Sequence, residues 1–177
     1  MNKTQINCVV GDLTKQSDCD AIVNSAHPSM LAGSGVYDVI HKAAGKELEI
    51  CGKQFAPLVL TQAVITPAFN LPNKYIIHVS APRYHAERNP LVSLAQALRN
   101  VLKFAEDSQI NSIAIPAIGS GKYGFPMSEA IDVYAQVALE FITSTVIKEI
   151  RFVFVSKEHS EAMKTLLNSS SNLKLAN

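Results

Sequence analysis

The chain has 177 residues, 47% of them hydrophobic and 18% charged, with a net charge of +1 at neutral pH. That length and apolar content describe one globular domain with its own core and exclude an intrinsically disordered chain. The near-zero charge gives no general pull toward duplex nucleic acid or acidic membranes, and no apolar run is long enough to span a bilayer. The first five residues, Met1 to Gln5, lack the apolar core of a signal peptide. The three cysteines, Cys8, Cys19 and Cys51, lack metal-ligand spacing and cannot all pair, which fits a reducing compartment. The expected location is the cytoplasm.

Ile6 to Val10 is apolar and β-branched and reads as the first strand. Gly11-Asp12-Leu13-Thr14 follows as a turn, with Asp12 just past the strand end, where ligand-binding side chains tend to sit in α/β sheets. Ala21-Ile22-Val23 is a short buried strand that Asn24 is expected to end. A turn-prone segment with Pro28, Gly33 and Gly35 comes next. Val36, Val39, Ile40 and Ala43 then recur at helical spacing, and Gly45 stops that helix. Lys46 to Phe55 continues as a second helix, broken near Gly52. Ala63 to Thr66 reads as a strand ended by Pro67, and Tyr75 to Val79 as another.

From Leu91 to Asp107 the apolar positions Leu94, Ala97, Leu98, Val101, Leu102 and Ala105 predict a long helix. Ser112 to Ala117 reads as a strand whose Pro116 end is expected in an unpaired or edge position. Ile118 to Phe125 is a second Gly-rich loop after a strand. A helix from Met127 to Thr143, a strand from Ile150 to Val155 and a helix from Lys157 to Leu167 complete the pattern. Residues 1–168 are expected to form the domain, and residues 169–177 a frayed tail.

Alternating strands and helices imply an α/β sandwich around a mostly parallel sheet. Two Gly-rich loops after two strands can meet at the carboxyl edge and enclose one ligand. Glycines let a backbone approach a phosphate, and the free N–H groups opening a helix attract anions. The first loop therefore reads as a diphosphate site.

Several segments, in order, resemble the macro domain family, whose members bind ADP-ribose. Val10 to Thr14 is similar to the family's VxGDIT segment and Asp20 to Asn24 to its DAIVN strand. Gly33-Ser34-Gly35-Val36 is similar to its GGGV loop, and Ile40 to Gly45 to its IHxAAG helix. Tyr75 to His78 resembles YVIH, and Ser112 to Gly124 resembles SIAFPAISTGIYG. The resemblance covers almost the whole chain. It implies a three-layer α/β/α fold with a six-stranded mixed sheet.

The resemblance also implies roles. Asp12 would accept a hydrogen bond from the adenine amino group, and Leu13 and Ile22 would line the adenine pocket. Gly33, Ser34, Gly35 and Val36 would cradle the diphosphate from one side. Ser120, Gly121, Lys122 and Tyr123 would close it from the other, with Tyr123 beside the distal ribose. Asn24 would sit near that ribose or brace the loop. The expected partner is ADP-ribose or an ADP-ribosylated macromolecule, bound by a monomer without cofactor or metal.

Three positions bear on catalysis. In the similar hydrolytic branch the loop reads VNAAN…GGGGVDGxIH. This chain has His27 where the second Asn stands, Tyr37 where the Asp stands, and keeps His41. Tyrosine titrates near pH 10 and is a poor general base at neutral pH. Asp38 is one helical step, about 100°, from the direction of Tyr37. His27 and His41 form an acid–base pair on one reading. On the other, His27 fills the ribose pocket and His41 bonds a backbone carbonyl. Tyr37 either stacks on or blocks the site, or shields the pocket. His78 is expected to be a satisfied core residue, and His85 and His159 surface residues. The cysteines read as packed core residues, with a catalytic thiol as the alternative. The expected function is ADP-ribose binding with weak or no hydrolysis. The alternative is hydrolysis of mono-ADP-ribosyl esters, O-acetyl-ADP-ribose or ADP-ribose 1″-phosphate using His41 and His27.

Overall fold

A computed structural model describes residues 3–31, 35–144 and 146–174, with the backbone alone at 36, 37 and 170–174. In chain order the strands are β1 (Gln5–Val10), β2 (Ala21–Ala26), β3 (Ala63–Pro67), β4 (Tyr75–Ser80), β5 (Ser112–Pro116) and β6 (Glu149–Phe154). The helices are α1 (Val36–Ala44), α2 (Lys46–Gly52), α3 (Pro90–Asp107), α4 (Met127–Glu140) and α5 (Lys157–Lys174). The strands form one sheet in the order β1-β6-β5-β2-β4-β3. Every neighbouring pair is parallel except β3 with β4. The sheet is therefore six-stranded and mixed, as the resemblance implies.

Alternation along the central strands divides the core in two. Ala21, Val23, Ile113, Ile115, Ile150 and Phe152 pack with the apolar sides of α3, α4 and α5. Ile22, Ile76, Ala114 and Val153 point the other way, onto Ile40, Ala44 and Leu48 of α1 and α2. These are the three layers. Burial of both faces explains why Ala21-Ile22-Val23 of β2, Ile76-Ile77 of β4 and Ile113-Ala114-Ile115 of β5 read as continuous apolar stretches.

Several element details differ from expectation. Asn24 does not end β2, which continues to Ala26 in register with Ser80 of β4. Pro116 is not at a sheet edge, because β5 lies between β6 and β2 and Pro116 is opposite Val153. Pairing of β5 with β2 stops at Ala114, however, so a residue without N–H is tolerated at that open end. Val39 is not on the buried stripe of α1. It is about half exposed, while Ile40 and Ala44 are fully buried. Finally, α5 runs through Asn168 to Lys174, beyond the expected Leu167, while residues 175–177 lie outside the described chain. Among the described residues, no helix is long and apolar enough to cross a membrane.

Candidate functional site

The sheet opens where the site lies. Only Ala21 with Ile113 and Ile22 with Ala114 join β2 to β5, and past them the two strands separate. The chain leaves β2 toward β3 and β4, and leaves β5 toward β6. This reversal puts a crevice beyond the carboxyl ends of the two strands. A cavity of about 510 Å³ occupies this edge of the sheet. One wall is Gly11 to Thr14 after β1, and another is Ser120 and Gly121 after β5. Val39 and Ile40 of α1 contribute a third side, and the end of β6 with the start of α5 a fourth.

Asp12 holds the first wall. Its Oδ1 accepts from the Thr14 backbone N–H at 2.8 Å and the Thr14 hydroxyl at 2.7 Å, capping a short 3-10 turn over Leu13–Lys15. The Thr14 hydroxyl, then its N–H, hold the Asp12 carboxyl below the usual carboxylate range. Asp12 is therefore an anion at neutral pH, with Oδ2 free of hydrogen bonds within the described chain.

The second loop is fixed at several points. The fully buried Tyr134 hydroxyl on α4 donates to the Ile118 carbonyl at 2.5 Å. The Ser120 hydroxyl donates to the Ala117 carbonyl at 2.7 Å, and the Phe125 N–H to the Gly119 carbonyl at 3.1 Å. Gly119 has φ +86°, and a Cβ there would lie 2.7 Å from the Phe125 ring. Gly121 has φ +64°, and a Cβ there would meet nothing within 4 Å. The Tyr123 hydroxyl reaches the Ala26 carbonyl at 3.4 Å, tying this loop to the end of β2. Arg83 lies over the Tyr123 ring at 5.9 Å, and Lys122 is exposed at the loop tip.

On the first loop, Gly33 and Ser34 lie outside the described residues, as do the side chains of Val36 and Tyr37. Gly35 precedes α1 with φ +77° and ψ −146°, a conformation nearly restricted to glycine, and a Cβ there would meet nothing within 4 Å. The Ser29 N–H donates to Nδ1 of His27 at 3.2 Å, with the Ser29 hydroxyl 2.7 Å from the same nitrogen. Nδ1 is thus an acceptor, and the neutral ring carries its proton on Nε2. In that form His27 can donate to a ligand but offers it no basic nitrogen. His41 is buried on α1, and burial lowers its pKa against the opposing pull of Glu49 and Asp38.

Asn24 and His78 are fully buried on neighbouring strands, with Asn24 Nδ2 3.0 Å from His78 Nδ1. His78 Nε2 lies 2.9 Å from the Thr66 hydroxyl. His78 is a satisfied core histidine, as expected, and burial lowers its pKa to about 3. Burial also pushes the thiols of Cys8 and Cys19 up to about 11, so neither is a thiolate at neutral pH.

The fold thus brings Asp12, Leu13, Ser120 and Gly121 onto one cavity. Among the described residues, Asn24, His27, Gly35, His41, Lys122 and Tyr123 lie off its wall. Ile22 is corrected: it is fully buried between the sheet and α1 and cannot line a pocket. His159 is also corrected: it is half-buried and lines the cavity, whereas His85 is exposed as expected. Sequence reasoning missed Val39, Met127 and the run Val153 to Ser156. Val155 is 95% exposed one residue past the end of β6, and its place in an apolar run made it read as part of the strand.

Known proteins share this architecture and sequence. The Macro domain family profile matches residues 23–134. An O-acetyl-ADP-ribose deacetylase of Escherichia fergusonii is 40% identical over 171 residues, covering 93% of this chain and 96% of its own. The Oceanobacillus iheyensis macrodomain with ADP superposes with a TM-score of 0.88 at 30% identity, covering 96% of each chain. A glycine-to-valine variant of that macrodomain with ADPR gives a TM-score of 0.89 at 30% identity, covering 96% of this chain and 98% of the other. With a profile match over most of its length and relatives spanning nearly all of it, this chain belongs to the macro domain family.

Proposed function

We propose that this chain binds ADP-ribose or ADP-ribosylated ligands between its two Gly-rich loops, with weak or no hydrolysis. The observation that carries the reading is the pair of glycines at Gly35 and Gly121. Both have positive φ, both have open space where a side chain would stand, and each follows a strand that borders the crevice. Such positions admit a diphosphate, and the N–H groups opening α1 offer it donors. Asp12 supplies an anionic acceptor for an amino-bearing purine at the other wall. The relatives solved with ADP and ADPR support the same ligand class.

Weak turnover follows from the residues at two positions. Tyr37 supplies no carboxylate to orient water, and His27 has its basic nitrogen engaged by Ser29. Positioning of the attacking water accounts for much of the rate in such reactions. The second reading is hydrolysis of O-acetyl-ADP-ribose or a related ADP-ribosyl ester, favoured by the 40% identity to a protein named a deacetylase of that compound. In that case His41, buried and neutral, and His27 are the proton carriers.

One experiment separates the two. ADP-ribose affinity is measured by calorimetry, and ester cleavage is followed for wild type, His27→Ala, His41→Ala and Tyr37→Asp. Binding without turnover, with activity gained in Tyr37→Asp, supports the binding reading. Robust wild-type turnover lost in both histidine variants establishes the hydrolase. Absence of ADP-ribose binding by the folded wild type refutes both.

A further inference from the structure

A chain of buried polar groups runs from β3 through β4 to β2 behind the crevice. Thr66, His78 and Asn24 are each at most 2% exposed. The Thr66 hydroxyl donates its one proton to the Pro67 carbonyl at 3.0 Å, so it must accept from His78 Nε2. The ring proton is therefore on Nε2, and Nδ1 is left to accept from the Asn24 amide. Each hydrogen bond fixes the direction of the next. The amide of Asn24 is held with Nδ2 toward His78 and Oδ1 turned away from it.

That Oδ1 is the unusual atom. It is buried and has no hydrogen-bond partner. A buried acceptor without a partner is costly, and few persist in native proteins without a reason. Asn24 also stands two residues past the last pairing of β2 with β5, where the crevice begins. The cost is acceptable if the acceptor is used once a ligand fills the site.

We propose that His78, backed by Thr66, is a positioning residue that acts through Asn24. It holds the Asn24 amide so that Oδ1 accepts a hydrogen bond from the ribose-bearing end of the bound ligand, directly or through one water. The inference rests on the ADP-ribose reading above. Neither His78 nor Thr66 touches the ligand. His78 supplies no proton to any reaction, and its ring keeps one tautomer throughout the physiological pH range.

The test is a double-mutant cycle on ADP-ribose affinity with His78→Leu, Asn24→Ala and the double variant, together with His78→Gln. A glutamine amide presents an oxygen to Asn24 and an N–H to Thr66, so it can replace both bonds, whereas leucine replaces neither. His78→Leu is expected to weaken binding about tenfold in the wild-type background and less than about twofold when Asn24 is already alanine. His78→Gln is expected to restore most of the loss. Thr66→Val keeps the side-chain shape, loses the hydroxyl and is expected to weaken binding several-fold. It carries the comparison if His78→Leu does not fold. The ring nitrogens of His78, read by long-range proton–nitrogen spectra, are expected to show Nε2 protonated and Nδ1 bare. Additive losses, equal loss in the leucine and glutamine variants, or a proton on Nδ1 overturns the relay while leaving ADP-ribose binding intact. Failure of wild type to bind ADP-ribose overturns both.

Discussion

Two glycines on the same loop make opposite predictions when each is replaced by alanine. Both have positive φ, so both variants incur the conformational cost of an L-residue there, about 1–2 kcal/mol. At Gly121 nothing further is lost, because a Cβ meets no atom within 4 Å. At Gly119 the same Cβ would lie 2.7 Å from Cδ2 of Phe125, with further ring atoms at 3.2 and 3.3 Å. Phe125 is only 5% exposed and packed in the larger core. Its ring must be displaced, which adds about 1–3 kcal/mol. In a domain of this size each kcal/mol lowers Tm by roughly 2–4 °C. Gly121→Ala should therefore lower Tm by only a few degrees, and Gly119→Ala by roughly two to three times as much. Ligand binding should rank them the other way relative to stability. The Gly121 Cβ enters open space on the cavity wall and should weaken ADP-ribose several-fold in a well-folded protein. Differential scanning calorimetry with ADP-ribose titration of both variants provides the comparison. Equal Tm values would show that the Phe125 contact does not explain Gly119, and unchanged affinity in Gly121→Ala would put the diphosphate elsewhere.

Other outcomes follow from single groups. Asp12→Ala should cost roughly tenfold or more in ADP-ribose affinity by calorimetry, since a charge-assisted hydrogen bond contributes about 1.5–3 kcal/mol. Because the folded-state pKa of Asp12 is lowered, chiefly by Thr14, its contribution to stability is full above the unfolded value. It is lost as pH falls through the folded one, so acid titration of Asp12→Ala should lack that component below about pH 4. Tyr134→Phe leaves the buried Ile118 carbonyl without its donor and should destabilise by about 1–3 kcal/mol in urea denaturation. His78 has its folded-state pKa lowered by burial to about 3, so the stability it confers is complete above about pH 6.5 and declines as pH falls from there toward 3. His78→Gln has nothing to protonate and should show a flatter stability curve over that window.

The sequence made the fold legible because each core strand is short, β-branched and bounded by turn residues, and each helix carries a recurrent apolar stripe. It also marked the two loops, since glycines after strands have few other uses. What it could not supply was adjacency. Val155 and His159 line the cavity only because β6 inserts between β1 and β5, a pairing of segments remote in the chain. Ile22 alternates onto a face that α1 covers, so a motif position expected to line the ligand became a buried one. Of the two positions expected for Pro116, unpaired or edge, the structure gives an unpaired side facing β2 but not an edge, because the open side faces a gap within the sheet that a linear reading cannot tell from a sheet edge. The His78 relay was half legible. A histidine in an apolar strand signals a satisfied core group, but its partners on β2 and β3 appear only once strand order is known.

The position of β1 has a consequence for how this protein becomes competent. Its first strand finds its one sheet neighbour in the last, with Val10 beside Phe154. Asp12 on one side of the cavity and Val155 on the other therefore follow strands that are far apart in sequence, β1 and β6. During synthesis β1 emerges well before β6 and stays without its sheet partner until β6 leaves the ribosome. Pairings so distant in sequence form late, because the intervening chain must be ordered before they become favourable. The two Gly-rich loops can take shape earlier, on β2, β4 and β5. A nascent chain halted before β6 would present the loops without a completed purine wall, so full recognition of a nucleotide would require synthesis through β6.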